Sequence, residues 1–169
     1  QSVDPVQPLV FVLTNVGSVR SQGIETELSV RATDSLRLSG TLAYVDAQIL
    51  SFPVAQCYPG QTVATGCIAA GGGLPAHQDL AGARLNNAPE WKGNIAADLT
   101  QPVGDNEVAM NLSYAFQSKV NYTLAQDPAT VQGGYGILNG SVGFGDADGV
   151  WRITLFGRNL LDRQYYANI

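Results

Sequence analysis

The chain has 169 residues, of which 45% are hydrophobic and 14% charged, against the roughly 25% charge of an ordinary soluble domain; its surface is short of the charge that keeps a globular protein in water. A net charge of −5 and a pI near 4.6 exclude the electrostatic footprint of a nucleic-acid-binding protein. No run approaches the ~18 apolar residues of a membrane-spanning helix and the mean hydropathy is +0.02, which leaves a closed β-barrel as the way to cross a bilayer.

Gln1 to Pro8 contain no basic stretch followed by an apolar one, so no signal peptide is visible. We expect that it has been removed or that the chain begins inside a longer protein. Alternation with a period of two then predicts an all-β, antiparallel chain of three hairpins, over about 15–50, 90–120 and 135–160. In the first, Ile24, Thr26, Leu28, Val30 and Ala32 share a face opposite Glu25, Glu27, Ser29 and Arg31. After a polar turn at Thr33-Asp34-Ser35, Leu36, Leu38, Gly40, Leu42 and Tyr44 oppose Arg37, Ser39, Thr41, Ala43 and Val45. In the second, Trp91, Gly93, Ile95, Ala97 and Leu99 oppose Lys92, Asn94, Ala96 and Asp98. A short connection over Gln101 to Asn106 leads to Val108, Met110, Leu112, Tyr114 and Phe116, opposite Ala109, Asn111, Ser113, Ala115 and Gln117. In the third, Leu138, Gly140, Val142 and Phe144 turn at Gly145 to Gly149 into Trp151, Ile153, Leu155 and Gly157. Arg152, Thr154 and Arg158 lie opposite the returning set, and Ile137 and Phe156 break the polar face.

The connections inside hairpins are short, and those between hairpins, about 51–89 and 121–134, are long. Antiparallel order gathers the short turns at one rim and the long loops at the other, the asymmetry of outer-membrane barrels. Tyr44, Trp91 and Phe116 fall toward the long-loop rim and Phe144 and Trp151 toward the turn rim, as two interfacial girdles require. A soluble β-sandwich shares the alternation, but stretches of roughly 10 to 15 residues exceed soluble strands and suit the 9–11 residues that cross hydrocarbon.

Three segments carry a family resemblance. Asn15 to Leu28, with Gly17, Gly23, Glu25 and Glu27, resembles the "N-x-G-x-x-x-x-x-G-[IV]-E-x-E" strand of the later barrel of TonB-dependent receptors. Asn159-Leu160-Leu161-Asp162-Arg163-Gln164-Tyr165 is similar to the "N-L-[LF]-D-x-x-Y" that these receptors carry before their last strand, and Asn87-Ala88-Pro89-Glu90-Trp91 to the "N-x-P-x-[WH]" that opens a descending strand. The resemblance implies a 22-stranded barrel in the outer membrane of a Gram-negative bacterium, filled by a plug domain. It further implies active import of a bulky nutrient such as a ferric siderophore, energised by the TonB complex. About six strands cannot enclose a wet lumen, and Glu25, Glu27, Arg31, Arg37, Lys92, Asp98, Lys119, Arg152 and Arg158 are too charged for a small dry interior. We therefore expect residues 1–169 to be a partial barrel domain, about the sixteenth to twenty-first strands, with the plug and last strand absent. The alternatives are a passive porin or adhesin barrel, or the soluble β-sandwich binding module.

On that barrel Leu38, Leu42, Ile95, Leu112, Phe116, Leu138, Val142, Ile153 and Leu155 should meet lipid. Glu27, Arg37, Lys92, Asn94, Asn111, Gln117, Arg152 and Arg158 are the lumen-facing candidates. Cys57 and Cys67, both in the longest loop and so outside the cell, should form a disulfide, two free thiols being the alternative. Two cysteines and His77 do not supply the four ligands of a zinc site. His77 and Asp79 could touch a ferric ligand, with a solvated loop pair as the plainer reading. No phosphate loop, nucleophile elbow or other catalytic constellation appears, so we expect neither an enzyme nor a bound cofactor or metal.

Overall fold

The computed structural model describes residues 17–168 in full and the backbone of 2–3 and 11–12. Asn15 and Val16 of the first motif and Ile169 lie outside the described residues. The chain is all-β, with six principal strands: β1 (Ser18–Arg31), β2 (Leu36–Ser51), β3 (Trp91–Val103), β4 (Asn106–Gln117), β5 (Tyr135–Asp146) and β6 (Arg152–Gly157). They form one antiparallel sheet in the order β6-β5-β4-β3-β2-β1, a meander in which each strand pairs with its chain neighbour. The six strands do not close into a barrel among the described residues; β1 and β6 are its edges.

The turns follow from their residues. Between β1 and β2, Thr33 Oγ1 accepts from the Leu36 amide at 3.0 Å and the Ser35 amide at 3.3 Å, the local capture that makes Thr a turn residue. Between β3 and β4 the sequence suggests a connection over Gln101 to Asn106, but the ladder continues to Val103↔Asn106 and leaves a two-residue loop, Gly104-Asp105. Gly104 supplies the positive φ, 64°, that a type II′ hairpin needs at its first central position. Pro102 fits a strand here because β3 has already passed Leu99, its last ladder partner on β2. The third turn closes with the Asp146 amide on the Trp151 carbonyl at 3.0 Å, and Ala147 donates to the Asp105 carbonyl, joining adjacent turns.

Every rung keeps the two faces apart. Val30↔Leu38↔Ala97↔Leu112↔Gly140 runs across one face, and Arg31↔Arg37↔Asp98↔Asn111↔Ser141 across the other. Among the described residues no second sheet lies across the apolar face: Ile24, Leu28, Ile95, Ile153 and Leu155 are each 60–71% exposed. That overturns the β-sandwich alternative, whose core would cover this face. The buried core sits instead at the long-loop end, where Ile49 of β2 packs with Ala55 and Leu80 and, around them, Phe52, Ala83, Leu85 and Leu124.

Candidate functional site

The apolar face is belted by aromatic pairs at both ends. Tyr44 meets Trp91 at the loop rim with ring centroids 4.8 Å apart, and Phe144 meets Trp151 at the turn rim at 5.8 Å. Between the belts, glycines make notches that larger neighbours fill. A Cβ on Gly93 would lie 2.5 Å from the Phe116 ring, and the Tyr114 phenol covers Gly136. Glycine at an outward position opposite an aromatic residue was a signal available in the sequence and not used.

The polar face collects seven of the eight lumen-facing candidates in the rungs. Glu27 lies in a row with Thr41 and Asn94, and Arg37 faces Arg31 on one side and Asp98 on the other. Asn111 donates to Asp98 Oδ1 at 2.7 Å. Lys92 pairs with Ala43 and Gln117, and Ala43 separates it from Glu25. Arg152 reaches Glu107 of β4 across β5 in an ion pair. Gly145 stands between them in the rung, and a Cβ there would press on the Arg152 backbone at 2.9 Å. Arg158 lies past the end of β6, its guanidinium 5.9 Å from the centre of the Phe156 ring. Phe156, which interrupts the polar pattern, is 73% exposed and thus provides that arginine with a platform.

The long loops form a packed layer. Cys57 and Cys67 are disulfide-bonded, their Cα atoms 5.8 Å apart, around the 3₁₀ turn Val63–Thr65. His77 and Asp79 do not converge on a common site: His77 Nδ1 contacts the Pro75 carbonyl at 2.9 Å, and Asp79 Oδ1 accepts from the Ala81 amide at 2.9 Å. Among the described residues no group of three His, Cys, Asp or Glu could hold a metal ion. Sequence reasoning missed three features of this end: the ion pair of Arg84 with Glu90 at 2.8 Å, the Arg20–Asp46 pair at 3.0 Å and the buried Gln78.

The family described as "TonB dependent receptor-like, beta-barrel" matches residues 1–160. The chain belongs to the TonB-dependent receptor family. Among solved structures, the ferric yersiniabactin uptake receptor FyuA of Yersinia pestis superposes with a TM-score of 0.65 and 15% identity, over 91% of this chain and 20% of that one. At that identity the likeness shows the fold, and the chain spans a fifth of that receptor's length. No curated protein sequence matches the chain.

The receptor motifs acquire physical reasons in this geometry. Gly23 lies where β1 and β2 approach so closely that a Cβ would run into the Tyr44 carbonyl. Glu25 and Glu27 follow on the polar face. Asn159 and Asp162 both adopt positive φ, 52° and 48°, the conformation that Asn and Asp tolerate best among residues with a Cβ. The Asn159 side chain holds this loop from within: its Oδ1 accepts from the Arg163 amide at 2.9 Å, and its Nδ2 donates to the Arg163 carbonyl at 3.1 Å. Leu160 drops into the notch of Gly140 and Gly157, where added Cβ atoms would lie 3.4 Å and 2.5 Å from its methyls. Tyr165 stacks on Tyr135 at 4.4 Å. The motif is therefore an excursion beyond β6 that lands back on the sheet.

Proposed function

We propose that this chain is a sector of the wall of an outer-membrane receptor that imports a bulky nutrient such as a ferric siderophore, energised by the TonB complex acting through a plug domain. One observation carries the reading: the sheet has an uncovered apolar face belted at both ends by aromatics and a polar reverse, with the long loops at one rim. The span supports it. Trp91 exchanges bonds with Ser118, just past the end of β4, and Phe144 pairs with Val108, so the two belts lie ten residues apart along the chain, from Val108 to Ser118. At ~3.3 Å per residue and a tilt of ~40°, that is a height of about 25 Å, the apolar band of an outer-membrane barrel.

In this reading Leu38, Leu42, Ile95, Leu112, Phe116, Leu138, Val142, Ile153 and Leu155 meet outer-membrane lipid. Glu27, Arg37, Lys92, Asn94, Asn111, Gln117, Arg152 and Arg158 face the water, plug and passing ligand inside the barrel. The loop layer then lies outside the cell, and the protein works by binding and gating without catalysis. The ferric yersiniabactin receptor is a structural neighbour of this wall and supports ferric siderophores as the first class to try.

The test is uptake of ⁵⁵Fe-labelled siderophores by cells that carry the full-length receptor as their sole such transporter. Uptake that disappears when TonB is deleted is the expected result. Flux that persists without TonB would make the protein a passive porin, and no iron uptake under either condition would reject the ferric-siderophore class.

A further inference from the structure

Gln78 is a polar side chain buried to 6% exposure in the loop layer, and all its hydrogen-bonding groups point at other segments. Its Nε2 donates to the Gln56 carbonyl and to the Ala125 carbonyl, both at 2.8 Å, and its Oε1 accepts from Gln61 Nε2 at 3.0 Å. Gln61 lies inside the ring closed by Cys57 and Cys67, where it also accepts from the Tyr58 amide at 3.0 Å and donates to the Thr65 carbonyl at 3.3 Å. Ala125 belongs to the other long loop, between β4 and β5. A continuous chain of bonds thus runs from the disulfide ring through two glutamines into a loop that the disulfide does not cross-link. Around it the loops are joined again: Gln126 Nε2 donates to the Arg84 carbonyl at 2.8 Å, the Asn87 amide to the Asn121 carbonyl at 2.9 Å, and Leu124 packs on the Ile49, Ala55 and Leu80 cluster.

We propose that the two long loops form one mechanical body, keyed by Gln78, so that the Cys57–Cys67 disulfide orders the loop over 118–134 as well as its own. Separating the loops would break the Gln78–Ala125, Gln126–Arg84 and Asn87–Asn121 bonds at once, and such coupled groups open together or not at all. This sector of the mouth therefore opens as a unit, and no passage forms between the two loops.

Hydrogen–deuterium exchange on the full-length receptor in detergent tests this without any ligand, so it is independent of the identity of the cargo. Gln78→Glu keeps the size and the acceptor but removes both donors. Its expected effect is exchange about fivefold or more faster at amides of 120–132, including Tyr122, which bonds the Thr130 carbonyl at 3.1 Å. Reduction of the disulfide should produce the same acceleration in 120–132, and reduction should add little to Gln78→Glu. Unchanged exchange across β3 and β4 in both cases certifies that the wall is intact. Acceleration confined to 52–90, or effects of reduction and Gln78→Glu that simply multiply in 120–132, would show two independent loops and overturn the proposal.

Discussion

The wall and the loop layer of this molecule are stabilised in opposite ways. In the wall, apolar side chains such as Ile24 and Leu155 stand open at 69% and 71% exposure, and strand is tied to strand by the ladder while each face awaits its surroundings. In the loop layer, Ile49 is fully buried, a disulfide closes a ring, and Gln78 is satisfied by three partners. In the proposed reading the wall takes its apolar environment from outside the chain, as a membrane strand must. The loops, which that reading places in water, supply their own core. A substitution should therefore be read by the environment it meets: medium in the wall, neighbours in the loops.

The largest effect expected is in the loop core. Ile49→Ala removes the one large side chain that is fully buried among the described residues and should destabilise the loop layer by about 2–5 kcal/mol, whereas Leu50→Ala next to it, half exposed, should change little. Opening free energies from amide exchange at residues 80–85 measure both; equal losses would erase the distinction between core and surface there. Next is the wall. Leu112→Arg, near the middle of the apolar face, should cost about 2–4 kcal/mol in the full-length barrel folded into bilayers, and Asn111→Arg much less, because the two alternate across the sheet. Denaturant unfolding decides, and an Asn111→Arg loss as large as that of Leu112→Arg would mean the faces are assigned the wrong way round.

The disulfide should contribute about 2–3 kcal/mol to the loop layer and nothing to the wall. Cys57→Ser with Cys67→Ser should loosen residues 55–78 and, through Gln78, 120–132 in exchange experiments and leave the β3–β4 ladder as it was, and the denatured, unreduced wild type should show no free thiol. The smallest effect is at the turn rim. Glu107→Gln breaks the pair with Arg152, whose side chain is 43% exposed, and the loss should stay within about 1 kcal/mol and shrink further in high salt. A larger, salt-independent loss would show that the pair is desolvated inside the barrel.

Period two, by itself, determined the wall. Because side chains alternate between faces and the hydrophobic set is continuous only in one register, the residues of β1 to β5 announced their antiparallel order and which face is apolar, while the β3–β4 turn closes more tightly, at Gly104-Asp105, than the expected connection over Gln101 to Asn106. Even the departures had reasons that are local: Phe156 serves Arg158, and the motif Asn159 to Asp162 contains the two residue types that accept a left-handed backbone. The cysteine pairing was legible too, since two cysteines in one loop have one way to bond. What tertiary structure alone decided is everything aperiodic. Gln78 is separated by 17 residues from Gln61 and by 47 from Ala125, and no spacing rule connects a buried amide in one loop to a carbonyl in another. The same holds for Leu160 over Gly140 and Gly157, and for Arg152 reaching Glu107 past Gly145: each needs a neighbour brought near by strand order and a glycine that leaves room. Alternation is set by the backbone's own geometry and survives into the sequence, while loop packing is set by contacts between distant segments and exists only once they have met.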